Sequence, residues 1–282
     1  MGLAIIVSCT KINSPPNPRE HPTITVSQRP KSGKRTQFSA VTATVTDKLR
    51  QPSIVEAVCE IRFRSGVSYS LVAGAMRERL RTSYPNFEVL PQSMMMAGIP
   101  DEAAPVLPHH RFRKKDPNLL VQTGPRLLTI NVLPRYPHFE VYRAEILAVL
   151  DQYRAVAEPG SPVRVGLRYI NQLQGPREGP ADIESYLRCE FSYPKELVHP
   201  SREVAARVLL PYGEFGTLAL AVSFPSRTPQ GEIAATLDLD FYWEQGDEFN
   251  LADFPNWLQA AHDIIYKAFT STVAGPLLQK MK

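Results

Sequence analysis

Residues 52–63 read PSIVEAVCEIRF. Val55, Ala57, Cys59, Ile61 and Phe63 alternate with Glu56, Val58, Glu60 and Arg62, and the pattern continues to Arg64. Successive side chains of a strand point to opposite faces, so this stretch predicts a strand with one apolar face and one mostly charged face. A strand of that kind belongs to a sheet that covers a core on one side and meets water on the other, which is the habit of antiparallel sheets. The expected fold class is therefore α+β, with an antiparallel sheet and long helices packed on its apolar face.

The flanking sequence supplies the helices. Tyr69, Val72, Ala73, Met76 and Leu80 recur at helical spacing over about 68–83, and Tyr84-Pro85 closes that segment. Residues 91–117 contain Pro91, Pro100, Pro105, Pro108 and Pro117 and predict a long loop. Leu119–Gln122 and Leu127–Leu133 flank Thr123-Gly124-Pro125 as a hairpin. Phe139, Tyr142, Ile146, Val149 and Tyr153 predict a helix over about 138–156. After the break at residues 158–162 the order recurs. A strand (163–172) leads to a short helix near 181–189, then to strands at 203–210, 217–224 and 232–242. A long helix over 251–275 follows, carrying Phe254, Leu258, Ala261, Ile265, Ala268 and Phe269. The recurrence suggests two pseudo-symmetric halves, 52–157 and 163–278, inside a single α+β domain spanning 47–282.

Residues 1–46 are rich in Pro, Ser, Thr and Lys and show no apolar period, so they predict a disordered tail, or an extension upstream of a start at Val41. The net charge of +4 is localised there. Residues 1–50 hold eight Lys/Arg against Glu20 and Asp47, a surplus of six, which leaves −2 for the rest of the chain. A nearly neutral body argues against a dedicated nucleic-acid-binding domain. No run approaches the roughly 18 apolar residues of a membrane span, and MGLAIIVSC at the start is too short for a secretory signal. Cys9, Cys59 and Cys189 are odd in number and far apart, which points to a reducing cytoplasm and to neither a disulfide framework nor a metal knuckle.

The best candidate binding surface is the charged face of the sheet. It gathers Glu56, Glu60 and Arg62 from the first strand, Arg164 and Arg168 from the strand at 163–172, and Asp238 and Asp240 from the strand at 232–242. Asn171, further along the second of these, is a candidate binding residue with them. Thr217, Ala219, Ala221 and Ser223, with Ala234 and Thr236, are small and floor the same face. A solvated face with cross-strand ion pairs explains this set without a ligand. Asp238-x-Asp240 points two carboxylates the same way, a geometry that suits a hard divalent cation, with no further ligand motif beside it. His109-His-Arg-Phe-Arg-Lys-Lys115 interleaves an aromatic with cations and suits a phosphate backbone, although a solvated basic loop explains it better given the nearly neutral body. His262 lies one helical turn from Leu258 and Tyr266, which predicts a partly buried, hydrogen-bonded histidine over a catalytic base. No nucleophile elbow, P-loop, dinucleotide fingerprint or HExxH occurs, and no cofactor is implied.

The opening strand PSIVEAVCEIRF resembles the start of a sporadically distributed family of bacterial and archaeal proteins of unassigned function. Leu167-Arg-Tyr-Ile-Asn171, Leu237-Asp-Leu-Asp240 and the last helix, with His262 followed by Phe269, are similar to the same pattern. The resemblance spans roughly residues 50–275. It implies domain boundaries and brings no activity. The expectation is a non-enzymatic binding or interaction protein, an accessory or immunity-type component with a protein partner and no membrane association. The alternative is a metal-dependent enzyme acting on a nucleotide or nucleic acid through the Asp238/Asp240 face. Bound divalent metal would favour the second, a stable protein complex the first.

Overall fold

The computed structural model describes residues 49–282 except 51, 92–99, 102, 116–117, 176–181, 190–202 and 245–248. The expected tail, with Cys9 and Val41, lies outside the described residues. The fold is α+β, built on one nine-stranded sheet in which every ladder is antiparallel. The chain runs β1 (Ile54–Phe63), α1 (Tyr69–Leu80), β2 (Asn86–Val89), β3 (His110–Arg113), β4 (Leu119–Gly124), β5 (Leu127–Val132) and α2 (Phe139–Ala157). It continues β6 (Pro162–Gln174), β7 (Val204–Pro211), β8 (Thr217–Arg227), β9 (Ile233–Trp243), α3 (Phe254–Thr272) and α4 (Gly275–Met281).

The strand order is β2-β3-β4-β5-β1-β6-β9-β8-β7. β1 and β6 pair at the centre, with Ala57 opposite Tyr169 and Ile61 opposite Val165. β5 lies beside β1, β9 lies beside β6, and the remaining strands step outward from there. Ala57, Cys59, Ile61 and Phe63 are buried while Glu56, Glu60 and Arg62 are only half-buried, as the period-two reading requires.

A single core cluster joins these strand residues to the buried stripes of the helices: Val72 and Met76 of α1, Tyr142 and Ile146 of α2, Leu258, Ala261 and Ile265 of α3. Trp257 closes the cluster near the start of α3, and its indole N–H donates to the Phe215 carbonyl at 3.0 Å. Burying that ring keeps its one polar group satisfied.

The structure corrects four local expectations. The stretch 91–117 is not loop throughout, because His110–Arg113 is strand β3, paired with β2 and β4. Four-residue strands are too short to show a period, and Phe112 is buried because Phe87 and Val121 face it from the neighbouring strands. The hairpin turns at Pro125-Arg126 and not at Thr123-Gly124-Pro125, with Arg126 at φ 58° and its carbonyl accepting from Phe63 N at 2.9 Å. The short helix expected near 181–189 is a single 3₁₀ turn at Ile183–Ser185. The last helix is not continuous either, since Leu251–Asp253 is a 3₁₀ turn and Val273 breaks α3 from α4 in extended conformation. Val273 bridges to Leu187, and Ala274 N donates to the Tyr186 carbonyl at 2.9 Å. Those partners lie almost ninety residues upstream, beyond the reach of any local pattern. Among the described residues no helix is long and apolar enough to cross a membrane.

Candidate binding face of the sheet

Register decides which charges meet. Glu60 stands opposite Gly166, Gly166 opposite Tyr242, and Arg168 opposite Asp240, so β1, β6 and β9 present one continuous band. At its centre Arg164 donates from Nη1 to Glu60 Oε1 at 2.7 Å and from Nη2 to Asp240 Oδ2 at 2.9 Å. Its guanidinium lies 4.8 Å over the ring of Tyr242. Gly166 makes that posture possible: a Cβ there would stand 2.6 Å from Arg164 Nη1. A glycine inside a strand often marks such a close approach, and here the approaching group is a side chain.

Arg62 Nη2 donates to Glu60 Oε2 at 3.2 Å, and Arg62 Nε lies 2.9 Å from Oε1 without the direction of a hydrogen bond. Arg168 grips Asp238 with both prongs, at 2.8 and 2.5 Å. On the other flank Asn131 donates to Glu56 Oε1 at 2.8 Å, and Arg111 bridges Gln122 and Glu88. The band thus runs from β2 to β9 as paired groups.

Burial raises the Asp240 carboxyl above its ordinary range, and the nearby Arg164 and Arg168 charges only partly offset that. Arg168 is held more firmly protonated than usual, chiefly by its bonds to Asp238.

Six of the seven candidate binding residues share this face: Glu56, Glu60, Arg62, Arg168, Asp238 and Asp240. Asn171 does not join them. It is buried, and its Nδ2 donates to the carbonyls of Tyr169 and Leu237 while Oδ1 accepts from Ser53 at 3.1 Å. Its odd position in β6, level with Tyr169 and Leu173, turns it toward the core. Thr217, Ala219, Ala221 and Ser223 stand opposite Tyr242, Asp240, Asp238 and Thr236, so the small-residue floor adjoins the charged band. No family model and no curated protein matches this chain.

The basic stretch is a different place from the one the sequence suggested. Phe112 is core, His109 is buried, and Tyr69 Oη meets His110 Nδ1 at 2.7 Å and Thr123 Oγ1 at 2.8 Å, so neither the interleaved aromatic nor His109 faces solvent. Lys114 pairs with Glu145 at 2.7 Å. His262 is half-buried, its ring stacked on Phe139. The contributions of Asn131, Gln122 and Tyr242 to the band had no sequence signal, whereas Gly166 did, as the lone glycine among the charged positions of its strand.

The band separates two kinds of charge. Arg164→Ala removes the cation shared by the half-buried carboxylates of Glu60 and Asp240, and is expected to cost about 1–3 kcal/mol. The side chain of Arg168 is 44% exposed, so Arg168→Ala is expected to cost no more than about 1 kcal/mol. Urea unfolding of the two variants checks the order. Unfolding of Arg168→Ala at room temperature would show that this pair is structural.

Proposed function

We propose that this protein is a non-enzymatic binding protein that takes a protein partner on the polar face of its sheet. The observation that carries this reading is the Arg164 node. Its guanidinium is held by Glu60 and Asp240 and rests on Tyr242, so the charge is fixed in place before any partner arrives. Preorganised charge avoids the ordering cost of binding and favours a partner of complementary pattern.

In this reading the long helices cover the apolar face, since their buried stripes share one core cluster with Ala57, Cys59, Ile61 and Phe63, and leave the polar face for the partner. The halves 52–157 and 163–278 are then related across the β1–β6 pair, in keeping with the strand order, and the charged band straddles their junction. Cys59 is a buried thiol, in keeping with a reducing cytoplasm. An accessory or immunity-type role is part of this reading.

A metal-dependent enzyme would need Asp238 and Asp240 to turn toward a cation. Both oxygens of Asp238 are engaged by Arg168, and Arg164 holds Asp240, so guanidinium groups occupy the positions a metal would take. Among the described residues no cluster of three or more His, Cys, Asp or Glu could hold a metal ion.

Affinity purification from the native host tests the proposal. Wild-type protein is expected to retain a protein partner that both Arg168→Ala and Gly166→Ala lose. Gly166→Ala is the sharper variant, because it displaces the Arg164 guanidinium without changing the charge. Retention of the partner by both variants, at unchanged melting temperature, would overturn this face as the site. Manganese-dependent hydrolysis of a nucleotide, abolished by Asp240→Asn, would replace the reading with the enzymatic one.

A further inference from the structure

A groove of about 410 Å³ opens on the side of the sheet where Phe87 and Phe112 face α1. Its wall is α1 with Gly74 and Arg77, continued by Arg81 just past the helix, and its floor is Tyr84, Phe87 and Phe112. The volume lies within the range of small-molecule sites, roughly 300–1,000 Å³.

The cations around the groove are not equivalent. Arg81 is answered by Glu78 at 3.1 Å and Lys114 by Glu145 at 2.7 Å. Arg77 forms no ion pair among the described residues and instead lays its guanidinium 4.7 Å over the ring of Phe87. Basic residues in the last turn of a helix complement its dipole, and Arg79, bonded to Gln152, serves that end too. Dipole complementarity does not require that Arg77 lie over the Phe87 ring. A guanidinium drawn to an aromatic face keeps N–H groups for an oxyanion, and guanidinium planes and aromatic rings both attract a planar base. Gly74 leaves the wall open, since a Cβ there would meet nothing within 4 Å.

We infer that this groove binds a nucleoside phosphate, the base stacking on the Arg77–Phe87 pair and the phosphate meeting the guanidinium edges of Arg77 and Arg81. Arg81 and Glu78 form a loose pair, with side chains 70% and 69% exposed, so a phosphate replaces Glu78 at little cost. Base stacking on aromatic rings and guanidinium planes is tolerant of base identity, so the groove selects a nucleotide over a bare anion without choosing strongly among bases. Free nucleotide and the phosphorylated end of a single strand share this chemistry.

Calorimetric titration of the full chain tests the inference with four probes: AMP, adenosine, inorganic pyrophosphate and a short 5′-phosphorylated single-stranded DNA. AMP is expected to bind with Kd below about 1 mM, and adenosine and pyrophosphate at least about tenfold more weakly. Arg77→Met and Arg81→Gln are each expected to weaken AMP by about tenfold or more at unchanged melting temperature. Tighter binding of the DNA than of AMP, dependent on its terminal phosphate, assigns the groove to strand ends; the reverse assigns it to free nucleotide. No heat with AMP, affinity for pyrophosphate equal to that for AMP, or undiminished AMP binding by Arg77→Met would each overturn the inference. Arg168→Ala lies on the opposite side of the sheet and is expected to leave AMP binding unchanged.

Discussion

Ile61→Ala and Leu239→Ala are each expected to lower the free energy of unfolding by about 2–5 kcal/mol. Both side chains are completely buried. Ile61 sits between Leu128 and Val165 at the centre of the sheet, and Leu239 between Tyr169 and Leu220 one strand further out. Neither position can collapse easily, because strands pair on both sides and helices pack above. The substitution therefore forfeits transfer free energy and also opens a cavity. Urea unfolding of the two variants and wild type measures the difference. A loss under about 1 kcal/mol at either site would mean that the core does not close around that strand as described. The contrast with Arg168→Ala, one residue before Tyr169 on the same central strand and facing the other way, makes the comparison a test of side-chain direction more than of strand membership.

Acidification is expected to weaken the protein through His262. Its ring stacks on Phe139 with centroids 3.8 Å apart and planes 3° from parallel, and its Nδ1 lies 3.2 Å from the Tyr169 hydroxyl, which in turn meets the Tyr136 hydroxyl at 2.9 Å. Burial lowers its pKa from 6.5 to about 4, and the nearby Glu140 charge opposes that only in part. The folded state therefore holds the neutral ring where the unfolded chain takes up a proton. This contribution is complete above pH 6.5 and is lost progressively as pH falls through the folded value near 4. At about 1.4 kcal/mol per pKa unit the loss is about 3 kcal/mol.

Asp240 has the opposite sign. Its carboxyl is raised, so its term weakens the fold as pH rises through and just above the ordinary carboxylate range. Comparison of wild type with His262→Gln at pH 7 and pH 4 cancels that term and isolates the histidine. Wild type is expected to lose about 3 kcal/mol more than the variant over this interval. Equal losses would show that the folded state does not hold the His262 ring neutral.

The sequence by itself determined the class of the fold and the direction of its side chains. Alternation in residues 52–63 assigned Ile61 inward and Glu60 outward, and helical spacing placed Val72, Ile146 and Ile265 in the core. These are local periods, set by backbone geometry within a few residues, and they survive in any tertiary setting that supplies an apolar and a polar side. The same logic collected Glu56, Glu60, Arg62, Arg168, Asp238 and Asp240 on one face, because parity is a local property too.

Tertiary structure decided everything that depends on register. Arg164 reaches Glu60 across 104 positions of sequence and Asp240 across 76, and only the pairing of β1, β6 and β9 brings each carboxylate within 3 Å of its guanidinium. Parity alone points Asn171 inward, but what satisfies its amide there is tertiary: the carbonyls of Tyr169 and Leu237 and the hydroxyl of Ser53, a set of partners no single strand displays. β2 and β3 became strands through pairing, with Phe87 opposite Phe112, where four residues are too few to carry a period. Val273 left the helix because Leu187 was there to bridge it. In each case the deciding free energy comes from hydrogen bonds and contacts between segments distant in sequence, and local preference is too weak to set their register.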